Sequence, residues 1–185
     1  MKILFAAFFC IISSQASAVE LAGVFGMRSN DAKTDLANAN IKSRTGFQAG
    51  LLGWAPIQGR VGGRSGFLYT QRYIGLGPTQ SGTVNFEFSY FDVPLTGTVK
   101  LGDYAWIFAG PVLAFNFSKE VTCTTNATCS PLDTKSFIIP LQLGIDFKFA
   151  SQFGGEVFYE YTSGELAKNY SNLSSVGANL LIFFE

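Results

Sequence analysis

Glu156 and Glu160 come closest to catalytic equipment in this chain. They stand four residues apart in "GGEVFYEY", and paired carboxylates are tools of general acid–base chemistry. Nothing else in the sequence completes them. The 185 residues include no histidine, which excludes a Ser-His-acid triad, a His-Asp protease site and a zinc centre built on imidazole. On a strand, a spacing of four puts both carboxylates on one face, where they serve more simply as partners for arginines. The stretch "GRVGGRSG", 59–66, has the glycines of a phosphate loop. It lacks the Lys-Ser/Thr ending and the helix that must follow. Its small residues instead leave Arg60 and Arg64 room to pack on a strand. No catalytic, cofactor or metal site is expected.

Composition narrows the class. Formal net charge is zero, so no basic field points to nucleic acid. Charged residues make up 14% of the chain, against roughly 25% in soluble domains. Apolar residues reach 48%, with 19 Phe and 20 Gly. The length suits one domain or at most two.

The first residues, "MKILFAAFFCIISSQASA", combine Lys2, an apolar run from Ile3 to Ile12 and Ala16-Ser17-Ala18. That pattern predicts a signal peptide cleaved after Ala18, leaving a domain over 19–185. The run falls short of the about 20 apolar residues that a spanning helix needs. Cys10 lies within it as a passive apolar residue. Export to an oxidising compartment gives Cys123 and Cys129, in "CTTNATC", the context of a disulfide. Free thiols are the alternative, and a metal pair has no further Cys or His to complete it. Closing so short a loop contributes only about 2 kcal/mol in the loop-closure view.

The elements that would position these residues are strands. In "KSFIIPLQLGIDFKF", 135–149, Phe137, Ile139, Leu141, Leu143, Ile145, Phe147 and Phe149 occupy every odd position. Period two is the signature of a strand with one oily face. Similar alternation marks Val19–Arg28, Arg44–Trp54, Gln58–Ile74, Thr83–Leu101, Ala105–Phe117, Phe153–Tyr161 and Val176–Phe184. In Thr83–Leu101 the phase changes. Val84, Phe86, Phe88 and Tyr90 are even, whereas Phe91, Val93, Leu95, Val99 and Leu101 are odd. A β-bulge near Tyr90-Phe91 would keep both sets on one face. A break into two strands at Asp92–Pro94 is the other solution.

Eight strands result, and their connections alternate in length. Polar segments at 30–40, 76–82, 119–134 and 163–173 read as loops, and the intervening connections are short. Short turns at one end and long loops at the other fit an antiparallel up-and-down transmembrane β-barrel. The oily face would then meet lipid, and the opposite face would line the lumen. Over the second to seventh strands that lumen set comprises Arg44, Arg60, Arg64, Arg72, Lys100, Lys148, Glu87, Asp92, Asp146, Glu156 and Glu160. Charge alone does not decide which face is inside. The signal peptide, the loop asymmetry and the bulk of the oily face favour lipid. Phe115, Phe117, Phe137, Phe147 and Phe149 at strand ends suit an aromatic girdle. An eight-stranded interior is just wide enough for side chains to fill, so paired charges are expected to plug it.

"FSYFDVPLTGTVKLGDYAWIFAGPVLAFNFS", 88–118, carries a further signal. Tyr90, Pro94 and Leu95 form "Y-x-x-x-P-L", followed by a turn and by Ala109, Gly110, Pro111 and Leu113 as "A-G-P-x-L". The segment resembles the small outer-membrane β-barrel proteins grouped with PorT and OmpX. The tail "LGIDFKFASQFGGEVFYEYTSGEL" with its final strand resembles them too, so the likeness covers most of the chain after the signal. That family usually ends in an aromatic residue, whereas here Phe183 and Phe184 precede Glu185. The resemblance implies the fold and the cell outer membrane as location, with no common activity.

The function expected is therefore non-enzymatic, either structural or through surface interactions of the four loops, in a monomer that contacts outer-membrane lipid and no nucleic acid. The alternative is a narrow pore or a secreted, lipocalin-like binder of small ligands. A pore would need small or one-signed lumen residues, and a carrier would need an apolar cavity. The mixed charges oppose both.

Overall fold

The computed structural model describes residues 19–34, 41–79, 82–123, 135–167 and 170–184. Eight long strands form its wall: β1 Glu20–Thr34, β2 Arg44–Gln58, β3 Val61–Thr79, β4 Gly82–Lys100, β5 Ala105–Cys123, β6 Leu141–Lys148, β7 Phe153–Ala167 and β8 Tyr170–Phe184. Two short pieces extend it, Ile41–Lys42 ahead of β2 and Phe137–Ile138 ahead of β6. Phe137–Ile138 keeps the register of β6 against β5. Pro140 separates the two because it has no N–H to give the ladder, although its carbonyl still accepts from Val112. Every strand pairs antiparallel with its sequence neighbour, and β1 pairs with β8, from Leu21 opposite Phe184 to Thr34 opposite Tyr170. The sheet thus closes into a barrel with no free edge.

Alternation sorts the side chains. Leu21, Phe25 and Met27 face outward and are exposed, whereas Ala22, Val24 and Arg28 are buried inside. The odd residues of 137–149 are likewise exposed, as are Phe153, Val157, Tyr159 and Tyr161 on β7. A row of outward rings crosses the wall, with Phe47 and Tyr69 centroids 5.4 Å apart and Tyr69 and Phe117 5.8 Å apart. Phe115 and Phe137 continue it at 4.9 Å. Phe147 and Phe149 belong to a second group near the opposite end. An oily band between two aromatic rows is the exterior of a membrane barrel.

Three short turns, at 59–60, 101–104 and 149–152, share one end of the barrel with Glu20 and Phe184. At the other end the strands run well past their expected limits. Thr79 still pairs with Gly82, and Ala167 with Tyr170. The segments expected as loops at 76–82 and 163–173 are therefore largely ladder, and β1 and β5 reach Thr34 and Cys123 into the segments 30–40 and 119–134. Strands of 19 residues in β3, β4 and β5 far exceed the about 9–11 that a span requires. Beyond the aromatic row their outward face turns polar: Gln71 Nε2 donates to Glu87 at 2.9 Å and to the Tyr69 hydroxyl at 3.2 Å.

The phase change in β4 has a different solution from the one expected. A register shift does occur between Ser89 and Tyr90, but the unpaired residue is Phe117 on β5. β4 itself keeps one parity throughout. Phe86, Phe88 and Tyr90 are buried inside, as are Asp92, Thr96 and Thr98. They help form an apolar interior cluster with Ile74, Ala114, Ile138 and Leu173. A second interior cluster unites Ala22, Val24, Leu52, Trp54, Leu68, Leu181 and Phe183. The lumen is thus apolar on two patches of its wall, with the buried charges between them.

Candidate functional site

The most distinctive chemistry lies inside the barrel. Arg28, Arg64 and Arg72 rank among the largest fully buried side chains. The inward parity of β1 and β3 leaves them no route to water, so each must find its partners across the lumen.

Arg64 is the hub nearer the turn end. Its Nη1 donates to Asp146 at 3.1 Å and to Glu156 at 2.6 Å, and its Nη2 donates to Gln142 at 3.2 Å. Asp146 also accepts the Trp54 indole N–H at 3.0 Å, and Glu156 accepts from the Asn179 amide at 2.7 Å. Arg28 and Arg72 occupy the part nearer the loop end. Arg72 grips Asp92 with both terminal nitrogens, at 3.1 and 2.8 Å, and reaches Glu160 at 2.9 Å. Arg28 donates to Glu160 at 2.5 Å and lies 4.0 Å from Asp92. Its Nε donates to Asn30, which also accepts from Ser175. Two amides link the groups: Gln48 accepts from Arg28 at 3.5 Å and donates to Asn179 at 2.9 Å.

Each guanidinium also lies against a ring. Arg64 sits 3.6 Å from the Phe108 centroid, Arg72 4.5 Å from Tyr90 and Arg28 5.5 Å from Phe158. Two of these rings lie on lumen-facing glycines. A Cβ on Gly144 would stand 2.5 Å from Phe108 Cζ, and one on Gly177 would stand 2.2 Å from Phe158 Cζ. Glycine at these points lets the ring lie flat and present its face to the cation. Counting the rings, all eight strands contribute a side chain to the assembly.

Of the residues expected to line the lumen, Arg64, Arg72, Asp92, Asp146, Glu156 and Glu160 come together here. The other five do not. Arg44 is exposed at the loop end, opposite Asn30. Arg60 lies in the exposed turn before β3. Lys148 is at the turn-end mouth, bonded to Glu20 at 3.1 Å, and Lys100 lies at the same mouth over the Trp106 ring, 5.8 Å from its centroid. Glu87 faces outward, bonded to Gln71, because β4 holds one parity. Arg28 lies on the first strand, outside the set expected from the second to seventh, although Leu21, Phe25 and Met27 place it inside by parity. Gln48, Gln142, Asn179 and the stacked rings carry no charge pattern to reveal them. Cys129 and residues 1–18 lie outside the described residues, as does the side chain of Cys123.

The assembly is built of ion pairs and the hydrogen bonds that support them. Each carboxylate is held by at least one guanidinium group. Among the described residues no group of three or more Cys, Asp or Glu is placed to hold a metal ion.

Comparison with known proteins agrees with this architecture. No curated protein sequence matches the chain. Among solved structures it is similar to Neisserial surface protein A (NspA), with a TM-score of 0.57, 12% identity, 91% of this chain covered and 100% of that one. Ail, the attachment invasion locus protein of Yersinia pestis, gives a TM-score of 0.52 and 16% identity over 89% of this chain and 98% of that one. The outer membrane protein OprG of Pseudomonas aeruginosa gives 0.53 and 13%, over 89% and 93%. At such identities the likeness concerns the fold. A family model described as outer membrane protein beta-barrel domain matches residues 14–163, more than half of the chain. This chain belongs to that family and is a β-barrel of the outer membrane.

Proposed function

We propose that this protein is a non-enzymatic outer-membrane barrel, closed to solutes by its lumen charges, that works as a structural or surface-interaction element through its outer end. The observation that carries this reading is the chain of hydrogen bonds from Arg72 through Glu160, Arg28, Gln48, Asn179 and Glu156 to Arg64, which links the two ion groups through buried side chains. Strands of this family set short turns toward the periplasm and longer connections outward. On that rule the polar extensions of β3, β4 and β5 stand above the outer leaflet. Residues 1–18 act as a signal peptide removed after Ala18, and the mature barrel is a monomer. Cys123 and Cys129 are bonded to each other, so the exported protein has no thiol that reacts before reduction.

Ail has been crystallised with the heparin analogue sucrose octasulfate, which supports an interaction with an external ligand; on this chain the segments 30–40, 76–82, 119–134 and 163–173 are the place to look for one. Liposome swelling tests the closed lumen. Vesicles carrying the purified protein should swell in a small sugar no faster than empty vesicles. Swelling at the rate of a general porin would instead support a pore.

A further inference from the structure

Both tryptophans of the chain, Trp54 and Trp106, line one cavity of about 190 Å³ at the turn-end mouth of the lumen. Arg60 and Lys100 line it as well, with Glu20, Pro56, Val61 and Thr98. Arg60 and Lys100 stand opposite each other at the turn end of the β3–β4 pair, where the Lys100 backbone amide donates to the Arg60 carbonyl at 2.8 Å. Val61 pairs with Val99 in the same register. Like charges set directly opposite destabilise a strand pair. Among the described residues neither cation has an ion-pair partner, since Glu20 is taken by Lys148. Trp106 pairs with Lys100 on the other side, so an aromatic face stands beside the two cations. Trp54 lines the cavity with its N–H committed to Asp146.

We propose that this mouth is a binding pocket for a small anion with a flat apolar body, of the class of an aromatic phosphate monoester or carboxylate. The anionic group sits between Arg60 and Lys100 and relieves their mutual repulsion. The apolar body lies against Trp106 and Trp54. The volume admits a molecule of about a dozen heavy atoms, at about 15–20 Å³ per atom in a close-packed site. On the orientation proposed above the ligand arrives from the periplasmic side, and its binding is independent of whether the lumen conducts.

Because both tryptophans line the pocket, their emission reads its occupancy directly. Phenyl phosphate is titrated into the refolded protein in detergent micelles at low ionic strength. The emission should change saturably, and added salt should weaken the effect. Benzyl alcohol should produce no saturable change. Arg60→Gln and Lys100→Gln should each weaken binding about tenfold, the loss of one charge-assisted hydrogen bond. Arg44→Gln, at the opposite mouth, should leave it unchanged. Heat-modifiable migration on gels verifies that each variant is folded. Should a variant fail to fold, wild-type protein still decides: phenyl phosphate should protect the tryptophans from iodide quenching. An equal response to benzyl alcohol, unchanged binding in both variants, or no protection from iodide overturns the proposal. Inorganic phosphate binding as tightly as phenyl phosphate would remove the apolar body from it.

Discussion

The two ion groups inside the barrel solve the same problem with different redundancy. Near the loop end Arg28 and Arg72 share Asp92 and Glu160, so that two cations face two anions and each carboxylate has more than one cation close by. Near the turn end Arg64 alone holds Asp146 and Glu156. Neutral hydrogen-bond donors support it, Trp54 on Asp146 and Asn179 on Glu156. A shared ring of charges survives the loss of one member better than a hub does. The difference teaches that the cost of removing a buried arginine depends on what remains to serve its carboxylates, and only secondarily on the bonds it made itself.

The largest effect should come from the hub. Arg64→Ala leaves two buried carboxylates without a cation and removes the plate stacked on Phe108. Unfolding in lipid vesicles should show a loss of about 3–5 kcal/mol, as for other broken buried pairs. Replacing all three members together, Arg64→Met with Asp146→Asn and Glu156→Gln, should recover most of that loss. A triple variant as unstable as Arg64→Ala would mean that packing, not uncompensated charge, sets the cost.

Next in size is a test of which face is which. Leu143 faces outward near mid-span, so Leu143→Arg should cost about 2–4 kcal/mol in a bilayer. Its neighbour Gln142 points inward at Arg64. Gln142→Arg places a second cation beside two carboxylates that have only one, and should cost less than half as much. Equal costs would refute the assigned faces.

The smallest of the three belongs to the ring. Arg28→Ala leaves Glu160 and Asp92 still bonded to Arg72, so the same unfolding assay should show a loss of about 2 kcal/mol, on the scale of one charge-assisted hydrogen bond. A loss matching that of Arg64→Ala would erase the distinction between ring and hub.

Much of this was legible in the sequence, and the misses have physical causes. Odd parity along 137–149 and the odd residues Leu21, Phe25 and Met27 disclosed the lipid face because period two is a direct consequence of strand geometry. The same rule failed at Phe86, Phe88 and Tyr90. Oily residues were assumed to seek lipid, but a narrow lumen also needs filling, and large rings fill it well. The bulge sits on β5 at Phe117, and no feature of either strand alone can say which partner carries the extra residue. Parity marked Arg64 and Arg72 as inward but could not distinguish the barrel's middle from its ends. Arg60, Lys100 and Lys148 share that parity yet end at the turn-end mouth. The pairing itself was illegible, since Arg64 meets Asp146 and Glu156 across a closed barrel whose register depends on all eight strands at once. The segments 76–82 and 163–173 looked like loops because they are polar. Beyond the oily band, ladder and loop have the same composition, because water rather than lipid faces both.

The central claim is that the buried network closes the lumen, and conductance in planar bilayers tests it most directly. On the proposed closure by Arg64, Asp146, Glu156 and the Arg28–Arg72 group, purified wild-type protein should insert without measurable single-channel steps. A stable, large conductance from folded wild-type protein would contradict the closed lumen.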